Sequence, residues 1–300
     1  MIVFVTTIIA GLSTAAIYAL AALGFSFIYA SSRVINFAQG AWMVLAGLCA
    51  SSVASGPLGI AGAAVIGPLV GAALGLTGYL FFTAWLRSGD VLSMALSLLG
   101  MSIIIEGVAL YGWGTNPFGI PAISTLSPIH AGGVIITWAT IISIATALVL
   151  IAVISTVLSK TRMGRAIVAT AVNGEAAELA GISRRLVLAI SYTASGLLAG
   201  IAGLLVAAVS TVQYLSGLEL TVAGFTAAAV GGLTRPVGAV IGALIVGMAE
   251  EIATTYGGGA NGDLITLLLS LVILLIFAKR LRGPRLRPEE EASGLSHEVA

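Results

Sequence analysis

The sequence predicts an all-α, polytopic transmembrane helical bundle. Of its 300 residues, 59% are hydrophobic and only 8% are charged, and the mean hydropathy is +1.12. Soluble domains usually carry ~25% charged residues, so this composition does not suit a water-facing surface. The apolar runs repeatedly exceed the ~20 residues that a helix needs to cross a bilayer. They are continuous rather than alternating, which argues against a transmembrane barrel.

The apolar runs predict about eight to nine spans, of which one or two are short or broken. The first run continues from Met1 to about Ala30 without a preceding positive region, so we interpret it as a retained span rather than a cleavable signal. Runs 37–55 and 219–233 are short for a full crossing. The predicted spans are 1–30, 37–55, 57–86, 91–112, 134–158, 186–210, 219–233, 236–256 and 262–280.

The basic residues predict the orientation, because lysine and arginine favour the cytoplasmic side of short loops. With nine crossings, the N-terminus outside and the C-terminus inside, all 13 lie on the inner side. The predicted outer loops 113–133, 211–218 and 257–261 contain none. The 13 residues are Arg33, Arg87, Lys160, Arg162, Arg165, Arg184, Arg185, Arg235, Lys279, Arg280, Arg282, Arg285 and Arg287.

The non-membrane segments divide the chain into one domain and a tail. Segment 113–133 contains three prolines and predicts an ordered outer loop with room for a short helix. Segment 159–185 predicts a helical cytoplasmic loop with breaks at Asn173-Gly174 and at Gly181. Residues 1–283 therefore form a transmembrane domain that includes this loop, and residues 284–300 form a polar cytoplasmic tail.

Small residues recur at four-residue spacing, which lets helix backbones approach closely in a membrane. We interpret them mainly as packing within the chain, with a dimer face as the alternative. No internal repeat is strong enough to predict. The spaced residues are Gly67, Gly71 and Gly75, then Gly196 and Gly200, then Gly238 and Gly242.

The stretch SSRVINFAQG, residues 31–40, interrupts the apolar sequence with polar side chains. Arg33 marks the inner end of the first helix. Asn36 and Gln39 have two open interpretations: they cap a broken helix, or they hydrogen-bond a solute or a gate. We expect them to adjoin a transport path.

Acidic residues within apolar runs are costly to bury and often mark functional sites. Glu106 lies well inside its predicted span, where it either faces a central cavity or hydrogen-bonds a neighbouring helix. Glu219, Glu250 and Glu251 lie near predicted span ends, and we interpret them as solvated charges at the outer interface.

Signatures of enzymes and cofactor sites are missing from the sequence. Neither lysine follows a glycine, so no phosphate-binding P-loop is present, and neither HExxH nor a Cys/His cluster indicates a zinc site. His130 and His297 lie in a predicted loop and in the tail. We therefore predict a protein that is not an enzyme and that has neither a cofactor nor a metal. The small net charge of +1 gives no indication of nucleic-acid binding.

The cytoplasmic loop carries the most specific motif. In NGEAAELAGIS, a short helix presents small side chains, and Gly181 then permits a sharp turn before Arg184 and Arg185 return the chain to the membrane. Such a projecting helix suits docking into a groove on a partner. The alternative is a loop helix that lies on the lipid surface, although no stripe of large apolar residues supports it.

Three stretches of the chain carry a family resemblance: GLSTAAIYALAALGFSFIYASSRVINFAQGAWMVLAG, MGRAIVATAVNGEAAELAGIS and GLLAGIAGLLVAAVSTVQYLSGLELTVAGFTAAAVGGLTRPVGAVIGALIVGMAEE. They resemble the inner-membrane permeases of branched-chain amino-acid ABC importers, in the wider group that includes sugar and urea permeases. The second stretch is similar to the family's ATPase-docking loop, although the isoleucine-x-leucine-proline ending is missing. Ala38-Gln39-Gly40 stands where the family often has alanine-histidine-glycine.

The resemblance implies a permease subunit in a bacterial inner membrane that forms half of a path for branched-chain amino acids or a related small polar solute. Its implied partners are a second permease, two ATP-binding subunits and a periplasmic solute-binding protein. Asn36, Gln39 and Glu106 are the candidate path residues. An ion-coupled transporter acting alone, with Glu106 as the coupling carboxylate, is the alternative. The implied coupling-loop residues are Gly164, Glu175, Ala176, Ala177 and Gly181.

Overall fold

The computed structural model describes residues 2–85, 91–120, 127–131 and 133–257, together with residues 268, 270–273 and 275–276. The predicted tail, 284–300, lies outside these residues. The elements are α1 (Ile2–Ser32), α2 (Gln39–Ala54), α3 (Gly59–Trp85), α4 (Val91–Trp113), β1 (Ile129–Ala131), β2 (Val134–Ile136), α5 (Trp138–Lys160), α6 (Arg162–Val172), α7 (Gly174–Leu179), α8 (Arg184–Val209), α9 (Ser216–Gly231) and α10 (Pro236–Gly257).

Six helices within the described residues are long and apolar enough to cross a membrane: α1, α3, α4, α5, α8 and α10. The runs predicted to be short are α2 and α9, each of 16 residues. Such a helix is about 24 Å long, less than the ~30 Å hydrocarbon core. The predicted span 262–280 lies mostly outside the described residues. The polytopic helical class is confirmed, but the described residues supply six long helices rather than eight to nine full spans.

The helices form two units of the same order that the sequence analysis did not predict. A long helix, a short helix and a long helix follow one another in α1–α2–α3 and again in α8–α9–α10. The two units pack against each other: α3 packs against α8, α10 packs against α1, and the short helices α2 and α9 contact each other. Matching pieces lie at the two short helices, FAQGAWMVLAG (37–47) and YLSGLELTVAG (214–224).

Glycines bring α3 and α8 into backbone contact. A Cβ added to Gly71 would lie 2.2 Å from the carbonyl oxygen of Gly196, and one added to Gly75 would lie 2.2 Å from that of Tyr192. Gly242 of α10 approaches the carbonyl oxygen of Ala227 of α9 in the same way. The spaced glycines therefore serve packing within the chain, as the first of the two interpretations predicted.

The described part of the segment between α4 and α5 contains a short hairpin; residues 121–126, where the sequence left room for a short helix, lie outside the described residues. Strands β1 and β2 pair antiparallel, with Ile129 opposite Ile136 and Ala131 opposite Val134. Before the hairpin, Phe118 and Val212 exchange backbone hydrogen bonds of 2.9 and 2.7 Å. This exchange fixes the start of the segment to the α8–α9 link, beside the beginning of α9.

Candidate functional site

The polar stretch after α1 forms a break between two helices. Arg33 adopts a left-handed conformation with φ of 60°, which ends α1, and the Ser32 hydroxyl accepts a hydrogen bond of 3.2 Å from the amide of Val34. The Asn36 side-chain oxygen accepts one of 3.0 Å from the amide of Ala38, immediately before α2 begins at Gln39. These side chains satisfy backbone groups that the break leaves without helical partners.

Asn36 and Gln39 also join the break to α8. The side-chain nitrogen of Asn36, Nδ2, donates to Gln39 Oε1 at 3.1 Å, and the Ser195 hydroxyl donates to the same oxygen at 2.9 Å. Gln39 Nε2 donates to the carbonyl oxygen of Ser195 at 3.4 Å. Both side chains are 0% exposed, so this conformation closes them off from solvent. Any contact with a solute requires the network to open.

The starts of the two short helices meet beside this network. The Thr221 hydroxyl of α9 accepts a hydrogen bond of 3.0 Å from the amide of Gly40 and donates one of 2.7 Å to the carbonyl oxygen of Gly217. A Cβ on Gly40 would lie 2.0 Å from that same oxygen, so only glycine permits the approach. Two helix N-termini, each with a partial positive charge, therefore converge at one place.

Glu106 of α4 lies at this convergence. A Cβ on Gly217 would lie 3.4 Å from Glu106 Oε1, and the Ser102 hydroxyl donates to that oxygen at 3.3 Å. The carboxylate is partly buried. The fold thus brings the three predicted path residues into one region: Asn36 and Gln39 in direct contact, and Glu106 across the Gly40–Gly217 contact.

The 159–185 loop is held by caps at each of its turns. The Thr161 hydroxyl caps α6 by accepting the amide of Gly164 at 3.0 Å, and Asn173 Oδ1 caps α7 by accepting the amide of Ala176 at 3.1 Å. Gly164 is buried, and a Cβ there would lie 2.3 Å from the carbonyl oxygen of Val157. Glycine at 164 therefore lets α6 fold tightly against the end of α5.

Gly181 ends α7 in a left-handed conformation with φ of 82°. The backbone amide of Gly181 donates to the carbonyl oxygen of Glu178 at 2.9 Å, and that of Ile182 donates to the carbonyl oxygen of Ala177 at 2.9 Å. This pair of bonds is the Schellman arrangement, which favours glycine at the left-handed position. The sharp turn predicted at Gly181 is present.

The predicted docking residues differ in exposure. Ala176 is exposed, whereas Ala177 is buried, with 5% of its surface exposed. The side chain of Glu175 is not among those that the structure describes. Two further residues of this loop that the sequence did not single out, Leu179 and Val172, are 92% and 79% exposed. Large apolar side chains so exposed on a short loop suit a contact with either a protein or the lipid surface, the two alternatives for this loop.

Arg33 connects this loop to the helix break. Its guanidinium donates a hydrogen bond to the carbonyl oxygen of Ala171 in the last turn of α6. The guanidinium carbon also lies 5.8 Å from the centre of the Tyr29 ring. A cation at a helix C-terminus is favourable, and this contact ties the end of α6 to the α1–α2 break that carries Asn36.

Glu250 is not the solvated interface charge that the sequence analysis expected. It is buried at 9% exposure, and the Tyr18 hydroxyl of α1 donates to its Oε1 at 2.8 Å. Its neighbour Glu251 is half-buried and accepts a hydrogen bond of 3.4 Å from the Thr14 hydroxyl. The two carboxylates connect α10 to α1, which are also the partners that the two-unit arrangement pairs.

Comparison with known proteins identifies relatives along nearly the whole chain. A family model described as branched-chain amino acid transport system / permease component matches residues 7–278. The high-affinity branched-chain amino acid transport system permease protein LivH of Escherichia coli K12 is 28% identical over 300 aligned residues, covering 94% of this chain and 95% of LivH. BraD of Pseudomonas aeruginosa, with the same description, is 26% identical, covering 96% and 97%. The ribose import permease protein RbsC of E. coli K12 is 27% identical, covering 88% and 82%.

Proposed function

The chain belongs to the family of permease components of branched-chain amino acid transport systems, and from this membership we propose that it is the permease subunit of an ATP-driven ABC importer. Its cargo is branched-chain amino acids or a related small polar solute, the class named for LivH and BraD. The match over residues 7–278 carries this conclusion. Family membership does not favour the alternative of an ion-coupled transporter acting alone.

The proposed importer contains four further proteins. A second, similar permease supplies the other half of the path, two ATP-binding subunits hydrolyse ATP, and a periplasmic binding protein delivers the solute. The chain itself lies in a bacterial inner membrane as a multi-pass protein. This division agrees with a sequence that carries no P-loop of its own.

The proposed path passes the convergence of α2 and α9. Helix N-termini near the middle of a membrane are suited to polar and anionic groups of a solute, because their amides point outward with partial positive charge. Gln39 and Asn36 supply amide donors and acceptors there, and Glu106 supplies a carboxylate. An amino acid carries both charges, so this set of groups matches its chemistry. The hydrogen bonds that close Asn36 and Gln39 must exchange for solute contacts during transport.

The proposed coupling passes through the 159–185 loop. Closure of the ATP-binding subunits pushes α7, through Ala176 and Leu179, and α6 follows because Asn173 caps α7 directly against the end of α6. Arg33 then passes the displacement from Ala171 to the α1–α2 break. ATP thereby biases one of two rigid arrangements of the path, which is how a ligand shifts a conformational equilibrium.

Co-purification from the native membrane and reconstitution into vesicles test the proposal. We expect the chain to copurify with a second permease and two ATP-binding subunits, and to take up solute only with ATP and the binding protein. Uptake by the purified chain alone, driven by an ion gradient without ATP, would contradict it and restore the Glu106 alternative.

Gln39→Ala is expected to lower uptake at least ~10-fold while the complex still assembles. The change removes the amide from the proposed path, and the loss of ~1.4 kcal/mol of solute binding corresponds to a factor of ten. Uptake kinetics in vesicles, with subunit stoichiometry as the second readout, measure the effect.

Ser195→Ala is the matched control for Gln39→Ala. It deletes the 2.9 Å bond to Gln39 Oε1 but leaves the amide in place. If the two variants lose uptake equally, Gln39 serves the contact between helices rather than the solute, and the path assignment is wrong.

The proposed orientation places α7 inside the cell and residues 114–120 outside. A variant with Cys49→Ala and Ala176→Cys should resist a membrane-impermeant maleimide until the cells are permeabilised. A companion with Cys49→Ala and Thr115→Cys should react on intact spheroplasts, because Thr115 is exposed. The reverse labelling pattern would show that the chain has the opposite orientation, and the proposed docking of the ATP-binding subunits at α7 would then be wrong.

A further inference from the structure

A cavity of about 560 Å³ lies between α1, α5, α6 and the α9–α10 link. Its volume falls within the ~300–1,000 Å³ of ordinary ligand sites. Most of the wall is aliphatic or aromatic, including Leu23 and Phe27 of α1, Ile154 and Leu158 of α5, and Ile167 of α6. Neither the network of Asn36 and Gln39 nor Glu106 lines it, so it is separate from the proposed path.

Two arginines and no carboxylate are among the described residues that line the cavity. Arg33 follows α1, Arg235 immediately precedes α10, and both are exposed. An apolar cavity with two cations is suited to a molecule that combines an apolar body with a negatively charged group.

A third feature lies deeper in the same cavity. Ser26 lines it, is only 2% exposed, and its hydroxyl has no hydrogen-bond partner among the described residues. Serines within helices usually bond the carbonyl one turn back, as Ser31 does to Phe27. A buried hydroxyl without a partner is costly, so this one is available to a ligand acceptor.

Ser26 of α1 and Arg33, which directly follows α1, both line the cavity. Ser26 and Arg33 are seven residues apart, which is two helical turns and about 10.5 Å. A glycerophospholipid has the same sequence of groups: a phosphate, then ester carbonyls, then acyl chains.

We propose that this cavity binds one anionic phospholipid. The phosphate lies against Arg33 and Arg235, an ester carbonyl accepts a hydrogen bond from Ser26, and an acyl chain fills the space beside Leu23, Phe27 and Leu158. Basic pockets between transmembrane helices are suited to such headgroups. The site requires only that the chain spans a membrane, and it stands whether or not the proposed transport function holds.

Native mass spectrometry of the delipidated full chain, titrated with phosphatidylglycerol or with phosphatidylcholine, tests the site. We expect one phosphatidylglycerol to bind more tightly than phosphatidylcholine. Arg235→Gln should weaken phosphatidylglycerol binding about fivefold, the factor that one basic residue contributes at an anionic surface. Ala30→Phe, which places a ring in the cavity, should displace both lipids, with a thermal melt to verify folding.

Arg162→Gln is the matched control, because Arg162, the first residue of α6, is an exposed cation that does not line the cavity. It should leave binding unchanged. The proposal is wrong if the two lipids bind alike, if Arg162→Gln weakens binding as much as Arg235→Gln, or if folded Ala30→Phe protein retains the lipid.

Discussion

Replacing Gly71 with valine is expected to force α3 and α8 apart and to destabilise the folded chain strongly. The first added carbon would lie 2.2 Å from the carbonyl oxygen of Gly196 and 2.6 Å from Cα of Gly200. Both are backbone atoms, so no side chain can rotate away and the two helices must separate. Overpacking typically costs ~1–3 kcal/mol and occasionally more. We expect the high end, because this seam joins the two three-helix units.

Gly107→Val provides the control for Gly71→Val. Gly107 lies in the membrane helix α4, and an added Cβ there meets nothing within 4 Å. Thermal melts and size-exclusion profiles in detergent compare the two variants. A change of ~1 kcal/mol shifts the midpoint by roughly 2–4 °C in a domain of 150–250 residues. If the melting midpoint of Gly71→Val lies within roughly 2–4 °C of the wild-type midpoint, the close backbone contact between α3 and α8 is contradicted.

The sequence predicted the helices well because the signal for a span is local. A run of apolar side chains is visible without knowledge of its neighbours, and the short runs became the short helices α2 and α9. The two-unit arrangement was not visible, because only an aromatic residue, two glycines and an alanine match between 37–47 and 214–224. Helix contacts made by glycine depend on the absence of a side chain, which leaves little pattern to compare.

The candidate site was predicted in part. Asn36 and Gln39 were recognisable as polar residues in an apolar context, whereas Ser195 and Thr221 were not, since helical serine and threonine commonly bond their own helix. The interpretation of Arg33 as a helix-end marker hid its bond to Ala171. Glu250 was misjudged because α10 continues to Gly257, which places this carboxylate about two turns inside the helix.

Gly181→Leu is expected to uncouple ATP hydrolysis from transport. Gly181 has φ of 82° and an added Cβ meets nothing within 4 Å, so the cost is backbone conformation rather than collision. A non-glycine residue in this region loses ~1–2 kcal/mol, which corresponds to roughly a 5–30-fold change in an equilibrium. The turn would relax to negative φ, break its two closing bonds and redirect α7, which presents Ala176 and Leu179. Uptake per ATP hydrolysed in the reconstituted complex measures the effect, with ATPase activity retained.

Two substitutions separate the turn from other effects on the loop. Asparagine tolerates the left-handed conformation, so Gly181→Asn should keep most of the coupling although it adds a side chain of leucine-like size. Gly174→Ala changes a glycine at the other end of α7, where an added Cβ also meets nothing, and should be silent. If Gly181→Leu couples as well as Gly181→Asn, the angle of α7 does not govern docking. The ATP-binding subunits would then have to engage the chain elsewhere, and the route through Arg33 to the helix break would lose its starting point.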